Sequence, residues 1–131
     1  MWAPAGSDLY RVTLGRWMMR YGTRLQPLVQ SIKKDLLREK YLQADEKKLQ
    51  VLSEKDRLST SQFYMWLYKT IGAKNVLIVY DYSPSRSAET AQAFLAEFEG
   101  WLQSEAYSVC KRVAKDSGGK IRNVFCWAHA R

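Results

Sequence analysis

The sequence predicts an α/β fold in which two helices precede a mixed sheet of five strands. Apolar residues at helical spacing come before residue 40, and three strand-like segments with short links follow them. Two further helical segments then alternate with strands. Short links favour antiparallel neighbours, whereas a helix between strands favours a parallel return. We therefore expect strands 1 to 3 to be antiparallel, with strands 4 and 5 parallel to strand 1.

The composition is that of one domain with a packed core. The chain has 131 residues, of which 47% are hydrophobic, and this excludes disorder as a general description. The net charge of +8 favours a polyanionic partner such as nucleic acid, and a basic solvated surface is the alternative. No apolar run approaches the roughly 20 residues of a membrane span. A cytoplasmic protein without a membrane partner is expected.

Two basic helices are predicted at the start of the chain. Ser7 or Asp8 can cap the first, which carries Arg11, Arg16 and Arg20. These arginines are candidates for DNA contact. The alternative is a helix that packs through its apolar residues and leaves the arginines in water.

The second helix is predicted to begin near Arg24 or Leu25, after the break at Gly22 and Thr23. Pro27 then falls in its first turn, where the missing N–H group is tolerated. Its apolar stripe ends near Glu39, and nothing in it indicates catalysis.

The first strand, Tyr41–Leu52, contains two adjacent acids, Asp45 and Glu46. Burying a carboxylate costs several kcal/mol unless it is paired or bound to a metal. Because side chains alternate along a strand, Glu46 is expected on the face opposite to Asp45, in a structural or solvent-exposed position.

The remaining elements follow from strand-forming runs, helical stripes and Gly or Ser breaks. The apolar run at Val76–Tyr80 is expected to be a strand covered on both faces. In chain order we predict strands at Gln62–Thr70 and Val76–Tyr80, a helix at Arg86–Glu99, a strand at Trp101–Glu105, a helix at Tyr107–Lys115 and a last strand at Ile121–Trp127.

Asp45 and Glu105 are the candidate catalytic and metal-binding residues. If strands 1 and 4 are neighbours, their carboxylates can meet at one edge of the sheet. Cleavage of a phosphodiester with Mg²⁺ requires such acids, since hard cations prefer oxygen ligands. The alternative is that both acids are surface residues or ion-pair partners.

A zinc site is a weaker hypothesis. Cys126 and His129 lie three residues apart, and only Cys110 could join them, whereas zinc requires four ligands. Ordinary buried cysteines are the preferred interpretation.

Several motifs, in order, resemble the central region of bacterial insertion-sequence transposases of the IS66 type. The resemblance covers nearly the whole chain beyond its first residues. It is carried by Leu42–Glu46, Phe63–Trp66, Tyr80–Arg86, Phe94–Gln103 and Cys126–Arg131, with Thr13–Trp17 and Leu25–Leu28 similar to the helical linker before that region.

The resemblance implies a ribonuclease H-like fold with three catalytic acids and two Mg²⁺ ions. It implies a helical lead-in at 1–40 and a partial catalytic core at 41–131. By position, Asp45 matches the first acid and Glu105 the second. The partners would be DNA at the ends of the insertion sequence and further copies of the chain in a homo-oligomer. Arg86, His129 and Arg131 fall in motifs expected near that DNA.

The chain departs from the family pattern at several positions. Glu105 stands where the family has Asp, and Lys47 stands where Thr is usual. The third acid is expected beyond the last strand, after Arg131. We therefore expect a fragment that lacks a full active site and has no strand-transfer activity by itself.

Two other classes of function remain open. One is a non-catalytic DNA-binding module that uses the basic N-terminal helices, and salt-dependent binding to duplex DNA would favour it. The other is a structural or interaction domain without a nucleic-acid role.

Overall fold

The protein is represented by a computed structural model that describes residues 10–50, 62–72, 74–84, 87–105 and 108–125. The chain divides into two compact units between Ser31 and Ile32. The elements are α1 (Arg11–Leu37), β1 (Tyr41–Gln50), β2 (Gln62–Thr70), β3 (Ile78–Ser83), α2 (Ala88–Phe94), β4 (Gly100–Ser104), α3 (Ser108–Asp116) and β5 (Ile121–Phe125).

The second unit contains one five-stranded mixed sheet with the order β3-β2-β1-β4-β5. β1 pairs antiparallel with β2, and β2 pairs antiparallel with β3. β1 pairs parallel with β4, and β4 pairs parallel with β5. The predicted pairing directions are therefore confirmed. β1 lies at the centre of the strand order: β2 pairs with it along Leu42–Gln50, and β4 pairs with its first three residues.

One face of the sheet carries the core. Alternation along β1 buries Leu42 and Ala44, and Leu102 of β4 lies beside Leu42 on the same face. α2 contributes Phe94 and α3 contributes Val113 to the same cluster. Burial of a large apolar side chain stabilises the fold by about 1.5–3 kcal/mol. This face therefore supplies most of the apolar stabilisation of the unit.

The opposite face of the sheet is open. Several of its large side chains are exposed, and Tyr80 is 63% accessible, whereas Phe63 on the same face is buried. The exposed large hydrophobic residues described on this face are Tyr41, Leu49, Ile78, Tyr80, Tyr82 and Trp101. The two faces of the sheet therefore differ sharply in composition and in access to solvent.

The prediction for the third strand was wrong in position and in burial. The strand spans Ile78–Ser83 instead of Val76–Tyr80. Val79 is buried, whereas Ile78 and Tyr80 are exposed, so one face is covered and not both. The reason is tertiary: β3 is an edge strand, and the helices pack on one side of the sheet.

The prediction of two separate helices before the sheet was also wrong, because α1 is one helix of 27 residues. It continues through Gly22 and contains Pro27 in its interior. The Thr23 hydroxyl donates to the carbonyl of Met19 at 3.1 Å, the bond to the carbonyl four residues earlier that threonine makes inside a helix. Gly and Pro cost about 1 and 3 kcal/mol relative to Ala, and the other hydrogen bonds of a long helix offset this.

α2 is shorter than predicted, ending at Phe94 instead of Glu99. A turn follows, in which the Phe98 amide donates to the carbonyl of Leu95 at 3.0 Å. Leu95 and Phe98 are both buried, so the turn directs both side chains into the core. Burial of these apolar groups outweighs continuation of the helix.

Candidate functional site

The two candidate acids belong to neighbouring parallel strands. The register pairs Tyr41 with Trp101 and Gln43 with Gln103. Asp45 lies two residues beyond Gln43 on β1, and alternation assigns it to the open face. Glu105 is the residue that follows the last residue of β4, and it is exposed. The two acids therefore lie beyond the same end of the paired segments of β1 and β4.

Asp45 is half-buried, and both of its carboxylate oxygens have partners. The backbone N–H of Glu46 donates to Oδ1 at 2.8 Å. The ammonium of Lys47 lies 3.3 Å from Oδ2. A carboxylate oxygen has two lone-pair positions, so each oxygen retains capacity for another ligand.

Basic and amide side chains surround Asp45 on the open face. Lys69 of β2 pairs with Gln43 and lies diagonally from Asp45 across the β1–β2 pair. Gln103 of β4 lies on the other side of Gln43. Amide and ammonium groups of this kind can donate to phosphate oxygens.

Further along this face, an arginine stacks on an aromatic ring. Arg122 of β5 pairs with Trp101, and its guanidinium lies 5.2 Å from the centre of the Trp101 ring. The ring face attracts a cation at this distance. The open face thus combines aromatic rings, amides and cations around the two acids.

A second group of polar residues lies on the opposite, helix-covered face. Glu46, Trp66 and Asp81 form one cross-strand row through β1, β2 and β3. Glu46 is half-buried, as expected for a side chain on the face opposite to Asp45. Burial raises the pKa of Asp81, and the nearby Lys33 ammonium opposes that rise.

Cys110 lies in this covered region and is 2% exposed. Burial raises the pKa of its thiol to about 11; a hydrogen bond with Ser104 opposes the rise, and the negative charge of Glu46 adds to it. The thiol is therefore protonated at neutral pH, which is typical of a structural cysteine and not of a nucleophile.

Tyr68 occupies the centre of the same layer. Its ring stacks on Phe94 with the ring centres 3.8 Å apart, and burial raises the pKa of its hydroxyl group far above the usual range. Within the described part of the chain, the Tyr68 hydroxyl has no hydrogen-bond partner. The covered face therefore holds polar groups that contribute to packing and lie away from the two candidate acids.

The structure describes some of the predicted DNA-binding residues and not others. Arg11, Arg16 and Arg20 are exposed on α1, and the segment 10–31 contains no Asp or Glu. Arg86, His129 and Arg131 lie outside the described residues, as does Cys126.

The donor chemistry of the two candidate acids fits a hard divalent cation, because both are carboxylates. Over residues 10–50, 62–72, 74–84, 87–105 and 108–125, no group of three or more His, Cys, Asp and Glu side chains could hold a metal ion. A pair of acids, and not a full set of ligands, is what this part of the chain offers. In the same ranges, none of the helices is long and apolar enough to span a membrane.

Sequence reasoning missed the ion pair between Lys47 and Asp45 and the position of Lys69 beside them. The ion pair could have been predicted from the sequence, because the side chains of residues two apart on a strand share a face. The second required the β1–β2 register, for which the sequence offers no local signal.

The comparison with family models shows one family. The family model described as Transposase IS66 family matches residues 1–131. The chain is 31% identical to the uncharacterized protein y4jD of Sinorhizobium fredii, over 100% of this chain and 27% of the relative. It is 28% identical to the uncharacterized protein y4qI of the same organism, over 96% of this chain and 25% of the relative. The chain spans about a quarter of the length of these curated relatives. No solved structure gives a significant match.

Proposed function

The chain belongs to the IS66 transposase family, and we propose that it forms part of a metal-dependent centre for DNA cleavage and strand transfer. In this proposal Asp45 and Glu105 are two of the catalytic, metal-binding acids. The sheet of residues 41–131 is a partial ribonuclease H-like core, and residues 1–40 are a helical lead-in. The partner is DNA at the ends of the mobile element.

The parallel register of β1 and β4 is the main support for this proposal. Asp45 and Glu105 are sixty positions apart in the sequence, yet each follows the segment in which β1 and β4 pair, by two residues. Part of the open face is accessible to a ligand, since Tyr41, Tyr80 and Trp101 are exposed on it. Two oxygen-donor acids on an accessible, partly basic surface suit a phosphodiester substrate with Mg²⁺.

In the proposed site, Asp45, Glu105 and Lys69 have different roles. Asp45 is oriented by the Glu46 amide, so its carboxylate has a defined direction. Glu105 is exposed at the strand end and can adjust to its ligand. Lys69 can donate to a phosphate oxygen and hold the DNA backbone against the sheet. When bound, Mg²⁺ would supply Lewis-acid stabilisation of the charge that develops on the phosphate.

The chain by itself is proposed to be inactive in strand transfer. The described residues offer two acids to this site, Asp45 and Glu105, whereas the resemblance implies three. Glu105 also extends one methylene further than the Asp of the family pattern. A misplacement of about 1 Å at a catalytic centre can reduce the rate about a hundredfold.

A non-catalytic DNA-binding module is the second candidate function. The segment 10–31 carries Arg11, Arg16, Arg20 and Arg24 and no acid. Arg16, Arg20 and Arg24 are four residues apart and so form one basic stripe along the helix. This feature favours contact with a polyanion whether or not the acids bind a metal.

Calorimetric titration of Mn²⁺ into the purified chain tests the metal site. We expect Asp45→Asn to weaken binding by about tenfold or more, because it removes a charged ligand, and Glu105→Gln to weaken it less. Glu99→Gln is the matched control, since Glu99 is exposed, pairs with Lys120 and lies before β4. The control should stay within about twofold of the wild type.

Wild-type affinity in Asp45→Asn would contradict the proposed metal site. Mg²⁺-dependent nicking or strand transfer by the wild-type chain, lost in Asp45→Asn, would confirm the site but overturn the proposed inactivity. Salt-dependent DNA binding that persists in both acid variants would favour the second candidate.

A further inference from the structure

We propose that Lys47 is a built-in competitor of the divalent cation at Asp45, so that this chain binds metal more weakly than a chain with Thr at this position. The inference rests on the proposed metal site and concerns how its affinity is set. It assigns a role to one of the departures from the family pattern.

Strand geometry places the lysine at the metal-binding acid. Asp45 and Lys47 are two residues apart on β1, so both project from the open face. The Lys47 ammonium lies 3.3 Å from Oδ2, and the Glu46 amide occupies one side of Oδ1. The oxygen without a backbone donor is therefore the one that the ammonium covers.

The Lys47 ammonium and a metal ion bound to Asp45 would repel each other, because both are positively charged. A metal ion bound to Oδ2 at about 2.0–2.6 Å would lie within about 6 Å of the ammonium. Repulsion between a divalent and a monovalent charge at that distance corresponds to about tenfold in affinity in water. The ion must also replace the ammonium as the partner of Oδ2.

The competition is limited because the lysine can move. Its side chain is 73% exposed, whereas that of Asp45 is 26% exposed. Exposed ion pairs are weak, so the ammonium can swing into solvent when a metal ion arrives. We therefore expect a three- to tenfold effect, about the size of the bare repulsion or below it.

The experiment compares Mn²⁺ affinity in the wild type, Lys47→Thr, Lys48→Thr and Asp45→Asn by calorimetric titration at low salt. Lys48→Thr is a matched control, because it removes the same charge from the adjacent residue, whose side chain projects from the opposite face of β1. Lys47→Thr should bind Mn²⁺ about three- to tenfold more tightly than the wild type, and Lys48→Thr should stay within about twofold.

A second readout locates the effect. Mn²⁺ broadens NMR signals of nearby nuclei, and the Glu46 amide is hydrogen-bonded to Asp45. In Lys47→Thr this amide should broaden at a lower Mn²⁺ concentration than in the wild type, whereas in Asp45→Asn it should not broaden selectively.

Each outcome decides the matter. Equal Mn²⁺ affinity in wild type and Lys47→Thr, with loss in Asp45→Asn, overturns the role of Lys47 and leaves the metal site intact. Weaker binding in Lys47→Thr also overturns it. Binding that does not depend on Asp45 in any variant overturns both the metal site and the inference. A gain of the same size in Lys48→Thr shows a general charge effect and overturns the specific role.

Discussion

Adjacent residues on β1 have opposite environments, and this separates Asp45 from Glu46. Asp45 lies on the open face beside a lysine, with its Oδ1 held by a backbone amide. Glu46 lies on the covered face, in a row with Trp66 and Asp81. One face offers ligands to solvent, whereas the other encloses polar groups in the core. The same chemical group therefore has different roles one residue apart.

At the residue scale, we predict that the Cys110 thiol makes stability fall at high pH. Its pKa is raised to about 11 in the folded state, from a reference value of 9.0. Folding favours the neutral thiol over the thiolate, because the thiol is buried. Its contribution to the free energy of unfolding is therefore complete below pH 9 and is lost as the pH rises to about 11. The loss corresponds to roughly 2–3 kcal/mol.

Urea denaturation of the wild type and of Cys110→Ala at several pH values between 8 and 11 checks this prediction. The wild type should lose more stability over this interval than the variant, in which no thiol titrates at residue 110. Parallel pH profiles would show that ionisation of Cys110 does not contribute.

At the scale of elements, the start of β4 is held tightly against the end of the α1–β1 connection. The Trp101 amide donates to the Lys40 carbonyl at 2.8 Å, and the Gly100 amide donates to the Lys120 carbonyl at 3.0 Å. A Cβ at Gly100 would overlap the Lys40 carbonyl oxygen and contact the Phe98 ring. These contacts set the register that carries Asp45 and Glu105 to the same edge.

We therefore predict that Gly100→Ala destabilises the protein by about 2 kcal/mol, because the backbone oxygen of Lys40 has little freedom to move. Gly22→Ala is the matched control: no atom lies within 4 Å of its added Cβ, and alanine favours a helix by about 1 kcal/mol. Urea denaturation measures both variants. A Gly100→Ala protein as stable as the wild type would contradict the tight packing at this position.

At the scale of the whole molecule, charge is the main feature. The net charge is +8, and residues 10–31 contribute four arginines without an acid. Such a distribution attracts DNA by releasing counterions from the phosphate backbone. The open face of the sheet adds Lys69 and Arg122, but it also carries Asp45. The segment 10–31 therefore carries positive charge alone, whereas the open face carries charges of both signs.

We predict that binding of the chain to duplex DNA weakens steeply with salt. Replacing Arg11, Arg16 and Arg20 by Ala should make the plot of log affinity against log salt less steep by about 2–3, roughly one unit for each lost phosphate contact. Fluorescence anisotropy with a labelled duplex measures this slope. The control replaces Lys74, Lys111 and Lys115 by Ala, which removes the same charge from the sheet-containing unit.

If both triple variants showed the same decrease in the steepness of the salt dependence, DNA binding would depend on net charge alone and not on the α1 arginines. Absence of salt-sensitive binding in the wild type would instead favour a structural or interaction domain without a nucleic-acid role.

Local patterns predicted most of the fold. The bounds of β2 agree with the prediction, and the directions of all four strand pairings were confirmed. The errors arose where tertiary context outweighs local preference. Gly22 and Pro27 suggested a break that α1 does not have, and the apolar run at Val76–Tyr80 gave no sign of lying at an edge. For the candidate site, the roles of Asp45 and Glu105 stay predictions.

The sequence by itself determined the family, the order of the strands along the chain and the identity of the two acids, because motifs and periodicity are local properties. Only the tertiary structure decided which strands are neighbours, which face stays open and that Lys69 of another strand lies near Asp45. These depend on contacts between residues far apart in the chain, such as Gln43 with Gln103 and Gln43 with Lys69. Packing of the helices on one face of the sheet selects those contacts, and no local pattern encodes them.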